Sequence, residues 1–233
     1  MACEFCVDYV HDLGSGHPPN NFSVILIASP TDTAHPLLES MDRSPLLLSA
    51  DDSALLIVDV QEKFLPVLPD TTSLLWNLQR LGEAARVMHV PCLATEQYPE
   101  KLGPTAESLQ PFVSDADVPA KLSFSCAGCE AFEDQLKGAA RRQVVVAGIE
   151  THVCILQTTL DLLASGFDVF LVVDAVQARH DIDHQTALRR MEISGATMIT
   201  TESVLFEWCV VAGTPNFKQI SKIVRTPKPQ PEG

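Results

Sequence analysis

The sequence predicts an α/β protein of three layers, a mostly parallel six-stranded sheet with helices on both faces. Two observations carry this reading. Short apolar runs recur at residues 54–58, 90–95, 122–124, 144–147, 169–173 and 197–200, each the length of a strand and too short for a buried helix. Between most of them apolar residues return at helical spacing, and strands alternating with helices argue for parallel pairing through crossovers. With 233 residues, 46% of them hydrophobic, the chain can bury one sizeable core.

Residues 1–50 read as an extension, disordered or loosely packed. They hold five of the sixteen prolines, six acidic residues and one basic residue, Arg43, without a long periodic segment. Residues 21–28 form an isolated strand candidate. The stretch is a poor presequence, because no Lys or Arg precedes Arg43; a working chain that begins at Met41 is the simpler expectation.

The domain is expected over residues 51–226. Ser53-Ala-Leu-Leu-Ile-Val58 is continuously apolar, as a central parallel strand should be, and Asp59 ends it. Leu74, Leu75, Leu78, Leu81, Ala85 and Met88 then trace one face of a helix. After the strand at 90–95, Pro119-Ala-Lys-Leu-Ser-Phe-Ser125 reads as a short strand with a lone lysine, Lys121. Gln143-Val-Val-Val-Ala-Gly148 is a β-branched run leading into a helix marked by Ile155, Leu156, Leu160 and Leu163, with Gly166 as its stop. The strand at 169–173, a helix marked by Ala187, Leu188, Met191 and Ile193, and the strand at 197–200 complete the pattern. Residues 227–233 form a proline-rich, extended tail.

Sites in open α/β sheets collect beyond the carboxyl ends of the strands. Asp59, Lys121 and Cys154 all belong to that edge, and each has two readings. Cys154 lies in a first helical turn, where free N–H groups and the helix dipole favour a nucleophilic thiolate; it can equally be a small apolar residue packed on the sheet. Asp59 is placed to be a general base or to cap the following turn. Lys121 is either the cation of a site or an ordinary surface lysine.

In combination the three are more specific. Asp59 in Leu-Leu-Ile-Val-Asp-Val-Gln-Glu-Lys-Phe, Lys121 in Ala-Lys-Leu-Ser-Phe-Ser and Cys154 in Gly-Ile-Glu-Thr-His-Val-Cys-Ile resemble the Asp, Lys, Cys triad of the isochorismatase-like cysteine hydrolases. The resemblance runs from about residue 53 to about residue 224 and implies a Rossmann-like fold. It further implies that Asp59 takes the Cys154 proton while Lys121 holds the carboxylate. The sulfur would then attack an amide, carbamoyl or ester carbonyl, and water would release the acyl-enzyme. A non-proline cis peptide joining Ile149 to Glu150, with backbone N–H groups including that of Cys154 aimed at the oxyanion, is also implied. The residues themselves show only Gly148 where a tight approach is needed.

Nicotinamidases of this superfamily have a metal-binding Asp-x-His and a second histidine after the second strand. Residues 95–104 contain no histidine, so neither a metal nor another cofactor is expected. Isochorismatases proper act on a vinyl ether without the cysteine, so Cys154 points to acyl chemistry. Gln61, Phe64, Tyr98, Phe124, Ile149, Glu150 and His152 are the expected substrate-lining residues. Core packing is the alternative for the aromatic residues, and His152 is an alternative base. Relatives form dimers or larger rings, which implies a homo-oligomer.

Composition excludes several classes. No apolar run approaches the roughly 20 residues that cross a bilayer. Seven cysteines, an odd number, suit a reducing cytoplasm better than a disulfide framework. Cys3-x-x-Cys6 and Cys126-x-x-Cys129 have zinc-like spacing, and the second has dithiol redox spacing, but the pairs are far apart and no thioredoxin-like pattern surrounds either. His180 and His184, at i and i+4, lack a third ligand and read as a solvated face. Net charge is −14 overall and −9 for residues 51–233, a balance that repels phosphate backbones, and no aromatic and basic stripe offers bases a platform. The reading is a cytoplasmic hydrolase of a small molecule; a binding or scaffold protein that keeps the fold is the competitor.

Overall fold

A computed structural model describes residues 43–113 and 118–230. Six parallel strands, β1 (Ser53–Val58), β2 (Cys92–Gln97), β3 (Ala120–Lys121), β4 (Gln143–Ile149), β5 (Asp168–Gln177) and β6 (Thr197–Ile199), form a sheet in the order β3-β2-β1-β4-β5-β6. The chain order reverses beside β1, between β2 and β4, and a ligand crevice opens at such a switch point. The two central strands, β1 and β4, are buried along their whole length, which is why both read as unbroken apolar runs.

The alternation of side chains along these strands feeds two cores. Leu55 and Ile57 of β1, with Val145 and Ala147 of β4, pack with Leu74, Leu78 and Leu81 of α1 (Thr71–Val87), Trp208 of α5 (Thr201–Cys209) and Ile220 of α6 (Pro215–Val224). Ala54, Leu56, Val144 and Val146 face the other way, onto Phe132 of α2 (Glu130–Ala139), Leu162 of α3 (Leu156–Ala164) and Met191 of α4 (Asp181–Ile193). The three predicted layers follow from this two-sided burial. Side-chain caps start several helices: Asp70 accepts the Ser73 N–H at 3.0 Å ahead of α1, and Thr214 accepts the Phe217 N–H at 3.0 Å ahead of α6.

The structure departs from the predicted elements in particular places. The third strand is Ala120–Lys121, not 122–124, and Leu122 and Phe124 are 73% and 53% exposed. The cause is electrostatic: the Lys121 ammonium donates to the carbonyls of Ser123 (3.2 Å) and Phe124 (3.0 Å), which wraps the chain around the cation instead of letting it run on. Ile193 ends α4 exposed, outside the buried stripe of Ala187 and Met191.

Residues 43–50 belong to the stretch read as a loosely packed extension, yet they lie against the domain. Leu48 is fully buried, its N–H donates to Glu207 Oε2 at 2.8 Å, and the Ser49 N–H donates to Gln143 Oε1 at 2.8 Å. The strand candidate at 21–28, the proposed start at Met41 and the Cys3-x-x-Cys6 pair fall outside the described residues. Residues 227–230 are exposed and without regular structure.

Candidate active site

Three strand ends assemble the site. Asp59 follows β1 with a left-handed backbone (φ 54°), a conformation that Asp tolerates better than most residues, and its N–H donates to the Thr95 carbonyl at 3.1 Å. Lys121 is the last residue of β3 and pairs in register with Gln97, the last of β2. Cys154 lies in a π-helical turn, Thr151–Ile155, that begins directly after β4 and a cis Ile149–Glu150 peptide, as the resemblance implies. Gly148 allows β4 to approach β1 here. It has φ 122°, and a Cβ on it would lie 2.2 Å from the Val58 carbonyl oxygen.

The side chains converge. Lys121 Nζ lies 2.6 Å from Asp59 Oδ2, with the Lys121 side chain fully buried and that of Asp59 4% exposed. The ammonium also donates to Gln97 Oε1 at 2.7 Å, and the Thr95 hydroxyl donates to Asp59 Oδ1 at 2.8 Å. The Cys154 thiol has Gln97 Oε1 at 3.9 Å, and the charges of Asp59 and Lys121 both act on it.

Burial lifts the Asp59 carboxyl above its ordinary value, against the pull of the Lys121 charge and hydrogen bond. Burial lowers Lys121, but the Asp59 charge and the nearby Cys126 and Cys154 sulfurs outweigh it, so the amine is held above its ordinary value and stays charged at neutrality. For Cys154, burial and then the Asp59 charge push the thiol up, despite Lys121. Desolvation and the adjacent negative charge therefore act against the thiolate that a first helical turn favours. Such an arrangement can pass the proton to Asp59 as the sulfur attacks.

The expected lining residues have varied fates. Gln61 is buried with its amide spent on backbone, donating to the Gly103 carbonyl at 2.6 Å and accepting the Gln97 N–H at 2.9 Å. Tyr98 (40% exposed) and Phe124 (53%) present open apolar surface beside Lys121, whose carbonyl accepts the Tyr98 N–H at 2.9 Å. Phe64 packs on the core of the α1 face, with the Arg179 guanidinium 5.8 Å from its ring centre. Ile149 is buried in that same core, whereas Cys154 packs in the opposite one, so the Ile149 side chain is not on the Cys154 side of the sheet. Glu150 is buried and accepts both the N–H and the Nε–H of Arg179, at 3.1 and 3.0 Å. His152 turns toward α4, with Nε2 3.9 Å from Asp183 Oδ2.

His184 bonds Thr151 Oγ1 at 2.9 Å, and burial lowers its pKa and keeps the ring neutral. Cys126 and Cys129 are free thiols with separate partners, the first 3.4 Å from Thr95 Oγ1 and the second 3.8 Å from the Ala120 carbonyl. Among the described residues no cluster of three or more His, Cys, Asp or Glu side chains is placed to hold a metal ion, and no helix is long and apolar enough to cross a membrane.

Sequence reasoning missed Thr95, Gln97 and Cys126. A signal existed for two of them. Thr95 and Gln97 are two apart at the end of β2 and share one face of the strand, at the edge where Asp59 was already placed. Cys126 carried no signal beyond its CxxC spacing.

Known proteins share this architecture. The isochorismatase domain family matches residues 53–203. Isochorismatase domain-containing protein 2 of Danio rerio is 40% identical over 188 residues, covering 78% of this chain and 91% of that protein. The structure of a Caenorhabditis elegans protein named MAR1 ribonuclease superposes with a TM-score of 0.73 at 36% identity, covering 79% of this chain and 95% of that one. The ycaC gene product of Escherichia coli, described as an octameric hydrolase of unknown specificity, superposes with a TM-score of 0.72 at 26% identity, covering 78% and 92%. With the family matched across most of the sheet and a relative 40% identical along its length, the chain belongs to the isochorismatase domain family.

Proposed function

We propose that this protein is a cysteine hydrolase of a small amide, carbamoyl or related acyl compound. One observation carries the reading: a thiol, a carboxylate and an ammonium are buried together, the ammonium bonding Asp59 Oδ2 at 2.6 Å and Gln97 Oε1 at 2.7 Å, and the Cys154 thiol reaching that same Gln97 oxygen at 3.9 Å. Asp59 takes the Cys154 proton while the sulfur attacks the acyl carbon, and Lys121 keeps the carboxylate oriented. The Cys154 N–H serves the oxyanion. The proton on Asp59 then passes to the leaving group, and Asp59 activates the water that releases the acid.

The ribonuclease name of the C. elegans relative belongs to that protein. A charge of −9 over residues 51–233 argues here for a small substrate over a polynucleotide. By analogy with the octameric E. coli hydrolase the protein is a homo-oligomer, and a nucleophile that must stay reduced suits the cytoplasm.

Screening amides, carbamates and esters against wild type and Cys154→Ala, with mass spectrometry for an acyl adduct on the Cys154 peptide, tests the proposal. Turnover lost by at least about 10³-fold in Cys154→Ala is expected. Turnover that survives Cys154→Ala would end it.

A further inference from the structure

The Asp59 carboxylate is gripped from two sides, and the triad accounts for only one. Lys121 takes Oδ2 at 2.6 Å; Oδ1 receives the Thr95 hydroxyl at 2.8 Å. Thr95 is 1% exposed and stands beside Val58 in the parallel register, and its carbonyl also accepts the Asp59 N–H at 3.1 Å. A single residue thus holds Asp59 by backbone and carboxylate together. A threonine hydroxyl carries one proton, and a carboxylate can only accept. That proton is committed to Oδ1, so the other neighbour of the hydroxyl, Cys126 Sγ at 3.4 Å, must donate its S–H to Thr95 Oγ1. Cys126 is fully buried, and its N–H is tied to Thr158 Oγ1 at 2.9 Å, four residues beyond Cys154. Donation therefore runs one way, from Cys126 through Thr95 to Asp59.

We propose that Thr95 is a positioning residue for Asp59, its hydroxyl held in one orientation by the Cys126 thiol, so that the carboxylate keeps a fixed edge toward Lys121 and Cys154. This rests on the reading that Asp59 receives the Cys154 proton. Burial pushes the Cys126 thiol up to about 11, which keeps it a donor at neutral pH. The charged and titratable groups facing Asp59 are Lys121 at the end of β3, Cys126 after it and Cys154 in the π-turn. A hydrogen bond to a carboxylate favours its ionised form, so removing the Thr95 hydroxyl makes Asp59 hold its proton to higher pH and weakens it as a base at neutrality.

Thr95→Val keeps the β-branched shape and deletes only the hydroxyl, while Thr95→Ser restores it. The readout is the rate at which iodoacetamide labels Cys154 in the full chain, followed by mass spectrometry of its peptide from about pH 5 to 9. In wild type the rate should rise along a limb that Asp59→Asn abolishes. In Thr95→Val that limb should move upward by about half a pH unit or more, with labelling at a fixed pH on the rising limb falling about 3-fold or more, and Thr95→Ser should return it to the wild-type position. A Thr95→Val profile that superimposes on wild type overturns the inference. Should Thr95→Val fail to fold, Cys126→Ala removes the thiol donor alone. It should shift the limb the same way by a smaller amount, about 2-fold in rate at a fixed pH on the rising limb, and superposition on wild type again overturns the inference. A limb unaffected by Asp59→Asn removes the parent reading instead, so the two failures are distinct.

Discussion

Replacing Lys121 with methionine keeps the apolar stem of the side chain and deletes its charge and donors. The wild-type ammonium bonds Asp59 Oδ2 (2.6 Å), Gln97 Oε1 (2.7 Å) and the carbonyls of Ser123 and Phe124. With the Lys121 side chain fully buried and Asp59 4% exposed, water cannot take the cation's place. Removing one member of such a pair costs about 3–5 kcal/mol, because the remaining charge is left buried. Asp59 can relieve part of that cost by binding a proton, which gives the prediction its pH signature. Burial already holds the folded carboxyl above its ordinary 3.8, and without the cation it climbs further. The folded variant therefore keeps its proton over a pH range in which wild type has released it. Its deficit is small in acid and grows as pH rises, by at most about 1.4 kcal/mol per pH unit. Lys121 contributes with the opposite sign. Its raised pKa stabilises wild type fully below the unfolded value of 10.5, and that contribution is lost as pH rises through the folded value. Urea unfolding at about pH 5 and pH 8, with the m-value checked for constancy, measures the deficit. The Asp59→Asn/Lys121→Met double variant should be more stable than the sum of the single losses allows, by about 2 kcal/mol. A deficit under about 1 kcal/mol at pH 8, or one that does not change with pH, would mean the pair is screened by solvent and would refute the reasoning.

Other outcomes follow from single contacts. Gly148→Ala should cost about 3 kcal/mol or more and lower Tm by roughly 6–12 °C, since the new Cβ meets the Val58 carbonyl at 2.2 Å on a backbone of φ 122°; calorimetry with an unchanged Tm would show that β4 can shift away. Leu48→Ala should lose about 2–5 kcal/mol in urea, because the side chain is fully buried against the α1 face. A loss within about 0.5 kcal/mol would place residues 43–50 outside the cooperative unit.

How far the site could be read in advance depended on the kind of residue. Asp59 follows one strand, Lys121 ends another and Cys154 stands in the turn after a third, and a short apolar run or a β-branched run announces such a place locally. Thr95 and Gln97 looked like ordinary strand residues, because their importance lies in what faces them across β1 and β3. Ile149 was misread for the same reason. Its neighbours along the chain say that it borders the turn, and only the sheet's register says which face its side chain takes. The strand expected at 122–124 was lost to a partner beyond the reach of periodicity, the ammonium that captures the carbonyls of Ser123 and Phe124.

Sequence alone determined five of the six strands to within a few residues, the helices between them and the candidates Asp59, Lys121 and Cys154, since hydrophobic period and turn chemistry are written within a few residues of each element. Tertiary structure decided the rest. The order β3-β2-β1-β4 brings Lys121 to 2.6 Å from an aspartate 62 positions away, sets Thr95 and Cys126 behind the carboxylate and buries Cys154 beside the pair. Those properties depend on burial and on which strands become neighbours, and both are established only when the sheet closes and excludes water.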